Sequence, residues 1–206
     1  AFEHDVALSV LTPRDGPLVG ILNEIGVPAA VVPAPDSMLR GSQQPGRLWS
    51  APAALLGIRR WAKALARHSA WRQADVLYSI SFKPHLASGM YHDRPLIWHL
   101  HEFPPSTTGW AWRLLAQRVR AGLTANSEAV GEAWRAGGRA GSPATERGPV
   151  TVCPNGVDLD RFRPRARTFW IHDQLGLPHS QRLIGMPAVF ARWKGQLKVL
   201  EAFQAL

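Results

Sequence analysis

The chain has 206 residues, 46% of them hydrophobic, which is ample for a buried core and for one domain with part of another. Its apolar runs, such as DVALSVLTP and RPLIWHLH, are far shorter than the roughly 20 residues that span a bilayer, which excludes a transmembrane helix. A formal net charge of +9 implies attraction to an anion, be it nucleic acid, acidic lipid or a phosphorylated substrate, while the single Cys153 excludes an internal disulfide and fits a reducing compartment, so a cytoplasmic location is expected.

The first residues, AFEHDVALSV, place no basic region ahead of a long apolar stretch and offer no small-residue cleavage site, so no secretory signal is expected. DVALSVLTP reads as a buried strand. DGPLVGILNEIG reads as a short helix opened by Asp15, with Pro17 in its first turn and Gly26 at its close, and VPAAVVP as the next strand. A strand, helix, strand unit this tight points to a parallel sheet with crossover helices. The stretch APDSMLRGSQQPGRLWSAP is rich in Pro, Gly and Ser without a sustained period, which predicts a loop. Leu55, Ile58, Trp61, Ala62, Leu65 and Ala66 then recur at helical spacing, with Arg59, Arg60, Lys63 and Arg67 between them, a basic amphipathic helix. Together with Arg40, Arg47 and Arg72, these cations fill a stretch from Leu39 to Ala74 that holds no acidic residue.

ADVLYSIS and RPLIWHLHE are two further strands, with a helix around HLASGMYH between them. WAWRLLAQRVRA reads as a helix, GLTANS as a short strand, and SEAVGEAWRAG as a helix with Ser127 at its N-cap. ERGPVTVCP supplies another strand; a charged linker, the strand RLIGMPAVF and the helix GQLKVLEAFQAL complete the chain. The alternation predicts an α/β fold. An opening strand with nothing before it and a last helix without a C-cap signal suggest a piece of something longer.

Three stretches concentrate chemistry. In IWHLHEFPP, the spacing of His99 and His101 puts both on one side of a strand and delivers them at its C-terminal end, where open α/β sheets hold ligands. A metal centre needs more ligands than His85 and His92 supply at any compelling spacing, and imidazoles bonded to nearby backbone are the other reading. In FARWKGQ, Arg192 and Lys194 precede a helix that starts near Gly195, so two cations and helix N–H groups converge on an anion site, or form a solvated basic loop. In VTVCPNGVDLDRFRP, Pro154 removes a backbone donor and Asn155-Gly156 tolerates positive φ, which taken alone describes an ordinary turn.

The longer string, Pro-Asn-Gly-Val-Asp followed by Phe162 and Pro164, resembles the signature of family 4 glycosyltransferases of GT-B architecture. The resemblance extends through LTPRDGPLVGILNEIGVPAAVVP, ADVLYSISFKPHLASGMYHDRPLIWHLHEFPP, LTANSEAVGEAW and GLPHSQRLIGMPAVFARWKGQLKVLEAF, in the family's order. It implies a Rossmann-like parallel sheet with helices on both faces over residues 1–164, the acceptor-side domain, followed over 165–206 by a linker and the first strand and helix of a second Rossmann-like, nucleotide-sugar-binding domain. By the same resemblance His101 faces the transferred sugar, Lys194 and Arg192 bind the donor diphosphate, and His99, Glu102, Asn155 and Gly156 are supporting or hinge residues. The family spaces its Arg further from the Lys-Gly pair, and this chain has Val189 at that place. The family's Gly-rich loop would precede Ala1 and its two-glutamate motif would follow Leu206, so the chain alone is expected to be inactive.

The implied reaction is retaining transfer of a sugar from a nucleotide diphosphate sugar to a hydroxyl acceptor, in glycolipid or surface polysaccharide biosynthesis, with no metal or covalent cofactor. Sugar-nucleotide epimerases share the architecture and are the alternative enzyme class. A basic nucleic-acid-binding protein is the non-enzyme alternative, but the basic stretch and its Trp49, Trp61 and Trp71 resemble no known nucleic-acid module, so nucleic acid is not expected as a partner. An anionic membrane surface is: basic amphipathic helices associate with acidic lipid, which would place the protein peripherally on the cytoplasmic face.

Overall fold

Each strand that the sequence predicts in the first 156 residues forms, and each pairs in parallel. The computed structural model describes residues 6–36, 38, 52–105, 108–136, 149–191 and 194–205. The chain divides into two compact units, Ala1–Gly156 and Val157–Leu206.

Strand β1 (Val10–Thr12), helix α1 (Pro17–Glu24) and strand β2 (Ala29–Val31) form the opening unit, with Val10 opposite Ala29 and Thr12 opposite Val31. Asp15 does not cap α1. Its carboxylate accepts from the adjacent Gly16 N–H at 2.8 Å, Gly16 is itself the N-cap, and Pro17 needs no partner because it has no N–H. The far end of α1 closes as its Gly signal predicts: Gly26 takes φ +78 and the Val27 N–H returns to the Leu22 carbonyl at 2.8 Å. The loop expected from Ala34 to Pro52 lies largely outside the described residues, as do Arg40 and Arg47.

Helix α2 (Pro52–Arg67) buries Ile58, Trp61, Ala62 and Leu65, and the Trp61 indole N–H donates to the Val32 carbonyl at 2.8 Å, tying the helix to the end of β2. A short helix α3 (Ser69–Gln73) follows, capped by the His68 ring, which accepts from the Ala70 N–H at 3.2 Å. Helices α4 (Phe82–Tyr91), α5 (Gly109–Arg118) and α6 (Glu128–Ala136) alternate with β3 (Leu77–Ile80), β4 (Leu96–Leu100), β5 (Gly122–Ala125) and β6 (Val150–Val152), which lie side by side in that order. Ser127 caps α6 as predicted, accepting from the Val130 N–H at 3.3 Å.

The core of this unit is aromatic. Trp98 and Trp134 are fully buried, and Trp98, Trp112, Trp134 and Phe82 form a continuous cluster, with Phe82 and Trp112 4.8 Å apart and Trp98 and Trp112 6.2 Å apart between ring centroids. Such rings dominate core energetics, at about 1.5–3 kcal/mol for each large side chain removed from water. Close packing extends to Gly131 of α6, where an added Cβ would meet Val152 Cγ2 at 3.2 Å.

In the second unit α7 (Trp170–Leu175) occupies what composition reads as a charged linker, and Gly176 at φ +63 terminates it. The predicted last helix forms as α8 (Gln196–Gln204). The strand expected over 182–190 is not formed: the segment is irregular, with Phe190 99% exposed. A strand is defined by its ladder, and among the described residues none lies beside this segment to bond it.

Candidate functional site

The ends of β3 and β4 shape the site. On β3, Leu77 and Ser79 face the buried side while Tyr78 and Ile80 are about half exposed on the other. The chain then turns into α4 through Ser81, whose φ of 73 and ψ of 157 lie in a backbone region that is close to exclusive to glycine. This abrupt turn brings His85, in the opening turns of α4, back over β3. The His85 ring is 1% exposed, hydrogen-bonds through Nδ1 with the Ser79 hydroxyl at 2.8 Å, and stacks on Trp98 at 5.0 Å. Ser88 extends the network, donating to Ser79 Oγ at 3.3 Å or to the His85 carbonyl at 3.0 Å. Burial pushes the His85 pKa down to about 3; a hydrogen bond to the His99 backbone opposes this and the nearby His99 and His101 add to it. His85 is therefore a neutral strut beneath the site.

At the end of β4, His99 and His101 lie together as their spacing predicts. Their rings are 4.2 Å apart, nearly perpendicular, and His101 Nε2 is 3.2 Å from His99 Nδ1. The same Nδ1 is engaged by the Tyr78 hydroxyl from the neighbouring strand, brought close by the register that pairs Tyr78 with Ile97 and Ile80 with His99. His99 is 8% exposed, and burial, then the proximity of His101, lowers its pKa. The chain leaves β4 through exposed Glu102, whose carbonyl accepts from the Trp134 indole N–H at 2.8 Å, so the aromatic core holds the residue that follows His101.

A small cleft of about 10 Å³, room for roughly one water molecule, opens among Ser81, Phe82, His85, Leu100, His101, Glu102 and Trp134. It is far below the roughly 300–1,000 Å³ of pockets that enclose drug-sized molecules, so it marks where polar groups converge and does not enclose a substrate. Of the residues predicted from sequence, His101 and Glu102 line it, and His99 sits beside His101. Sequence reasoning missed Tyr78, Ser81 and Trp134, and considered His85 only as a metal ligand.

The other predicted residues lie elsewhere. Asn155 and Gly156 are exposed, and neither adopts positive φ, contrary to the turn that Asn-Gly suggests. Here the main chain runs on without reversing after Cys153, whose N–H donates to the Ala125 carbonyl at 2.8 Å. The ordered turn comes next: the Asp158 carboxylate accepts from the Asp160 and Arg161 N–H groups, each at 3.0 Å. In the second unit Lys194 is exposed, its N–H donating to the Ala191 carbonyl at 2.8 Å, and Gly195 at φ +79 forms the N-cap of α8. The Gln196 side chain donates to the Val189 carbonyl at 2.8 Å, closing the loop ahead of that helix. Arg192 lies outside the described residues.

Residues 3–161 match the family model described as Glycosyltransferase Family 4. No curated protein sequence matches the chain significantly. Among solved structures, the chain is similar to Anabaena HepE, crystallised in complex with UDP and glucose: the TM-score is 0.64, the identity 23%, and the match covers 95% of this chain and 49% of that one. The chain thus spans about half the length of HepE. At this identity the likeness speaks for the fold, and it bears out the parallel α/β architecture of the GT-B type that the sequence implies.

Proposed function

The chain belongs to glycosyltransferase family 4, and on that premise we propose that it serves the transfer of a sugar, with retention of configuration, from a nucleotide diphosphate sugar to a hydroxyl acceptor. The observation that carries this reading is His101, delivered by the end of β4 into a cleft at the C-terminal edge of a parallel sheet, where open α/β folds hold ligands. The imidazole hydrogen-bonds a hydroxyl of the transferred sugar and orients it, with His99 and Glu102 in support. Lys194, with Arg192, neutralises the donor diphosphate beside the N-terminus of α8. Orientation of the two substrates and stabilisation of the departing diphosphate then supply the rate, with no metal or covalent cofactor. The UDP and glucose in the HepE crystal support a nucleotide sugar as the donor class.

On this reading residues 1–164 are the acceptor side and 165–206 open the donor side, with Asn155 and Gly156 near the connection between them. The acceptor is a glycolipid or a growing surface polysaccharide. On α2, Leu55, Leu56, Arg59, Arg60, Lys63 and Arg67 are all exposed with no acid among them, which supports docking on the anionic cytoplasmic face of a membrane. Vesicle sedimentation should then rise with anionic lipid and fall with salt, and equal binding to neutral vesicles would remove that partner.

The test of the main reading is product analysis. The complete protein, incubated with a panel of nucleotide sugars and acceptors, releases nucleoside diphosphate in step with a glycoside of the donor's anomeric configuration. Absence of release from every donor, or an inverted product, overturns the reading. The 206 residues alone should release none above background.

A further inference from the structure

The two-histidine end of β4 contains a hydrogen-bond problem with one good solution. His99 Nδ1 is approached by two groups, the Tyr78 hydroxyl and His101 Nε2, the latter at 3.2 Å. On the far side of the ring His99 Nε2 is buried and has no hydrogen-bond partner among the described residues. A neutral imidazole carries one proton, on one nitrogen or the other.

Suppose the proton sits on Nε2. A buried N–H donor is then orphaned, at a cost of about 1–3 kcal/mol, and the single lone pair on Nδ1 is left for both the Tyr78 hydroxyl and a His101 N–H. With the proton on Nδ1, only a lone pair is left unused in the interior, a cheaper omission than an orphaned N–H. The Nδ1–H then points into the space where Tyr78 Oη and His101 Nε2 both offer lone pairs. Burial also disfavours the doubly protonated ring. Whichever neighbour accepts more strongly, His101 Nε2 has no room for a hydrogen of its own facing His99 Nδ1–H. Its proton must be on Nδ1.

We infer that His99, with Tyr78 as the second acceptor on the same nitrogen, holds His101 in the Nδ1–H tautomer, so that His101 meets its ligand as a hydrogen-bond donor and not as a base. His99 is thereby a positioning residue, acting through the protonation pattern of its neighbour. The ligand class follows: an oxygen with an available lone pair, such as a sugar hydroxyl or ring oxygen. That last step rests on the reading of His101 as the sugar-facing residue.

The tautomer itself is measured without substrate. In protein carrying 15N-labelled histidine, two-bond correlations between the ring nitrogens and the carbon-bound ring protons at mildly alkaline pH distinguish a protonated from an unprotonated ring nitrogen. The expected wild-type pattern for His101 is protonated Nδ1 and bare Nε2. In His99→Phe the preference should be lost, with Nε2 becoming partly protonated, while His99→Asn, which puts an amide donor near the place of Nδ1, should retain it. A wild-type His101 protonated on Nε2 overturns the inference, and so does an unchanged pattern in His99→Phe. The wild-type spectrum decides even where His99→Phe fails to fold. Failure of sugar transfer leaves the tautomer standing, and a wrong tautomer leaves sugar transfer standing, so the two readings fail separately.

Discussion

In the first unit apolar periodicity ends in burial, with Trp98 and Trp134 at 0% exposure and Trp61 at 4%. In the second, residues of the same kind stay in water, with Phe190 at 99%, Ile184 at 71% and Leu200 at 60%, and among the described residues of that unit only His172 is buried. Both units contain amphipathic helices. The first sets its helices against a sheet, so an apolar face meets another; among the described residues of the second, no strand lies beside α8. Periodicity specifies which face seeks burial, and a second layer is needed before that face contributes stability.

Truncating one large residue in each unit separates enclosed from exposed side chains most directly. Trp98→Ala should cost about 3–5 kcal/mol in chemical denaturation, because a fully enclosed indole leaves a cavity that its neighbours fill only in part. In the 206-residue chain Phe190→Ala should stay within about 0.5 kcal/mol, as expected of an exposed position. Similar costs for the two would show that the units do not differ in packing.

Acid sharpens the contrast next, because the first unit buries a histidine whose folded pKa is depressed to about 3. An unfolded histidine titrates near 6.5, so between those values the unfolded chain holds a proton that folded His85 does not. Its contribution to stability is therefore fully present above about pH 6.5 and is lost progressively as pH falls towards about 3. Denaturation midpoints of the wild type across this window should fall more steeply than those of His85→Gln. Parallel curves would mean that His85 is not buried neutral.

Two proposed site residues, His101 in the first unit and Lys194 in the second, are tested separately by turnover in the complete enzyme. His101→Ala should lower kcat and kcat/KM together by roughly 100-fold, as for loss of a donor that acts in the transition state. Lys194→Ala should raise KM for the donor and lower kcat, each by about 10-fold, as for loss of one cation from a diphosphate site. Normal turnover in folded His101→Ala would return that imidazole to a purely structural role.

Local chemistry made much of the fold legible. Ser127 and Gly26 act where they stand, within a turn of their own helix, and their caps form as read. The six strands among the described residues of the first unit also announced themselves by apolar runs between turn residues. Features set by distant neighbours did not. Tyr78 reaches His99 only because β3 and β4 pair in one particular register, and nothing in the residues around Tyr78 states that register. His85 reaches Ser79 only because α4 folds back over β3. Helix α7 is six residues long, too short for a period to emerge, and Gly176 was its one local sign. Asn155-Gly156 misled for a related reason: permission for positive φ is not a requirement, and the reversal falls to Asp158 instead.

Ser81 carries a consequence for anyone who would make this protein hardier. Its backbone occupies a region that glycine enters freely and that costs other residues on the order of 1–3 kcal/mol. Allowing for the extra flexibility that glycine gives the unfolded chain, Ser81→Gly should gain about 1 kcal/mol in denaturation measurements. It would also strip a hydroxyl from the wall of the cleft. A variant that gains stability here while turnover stays normal would show that the hydroxyl serves no purpose in the cleft, and one that gains stability but loses turnover would show that it does.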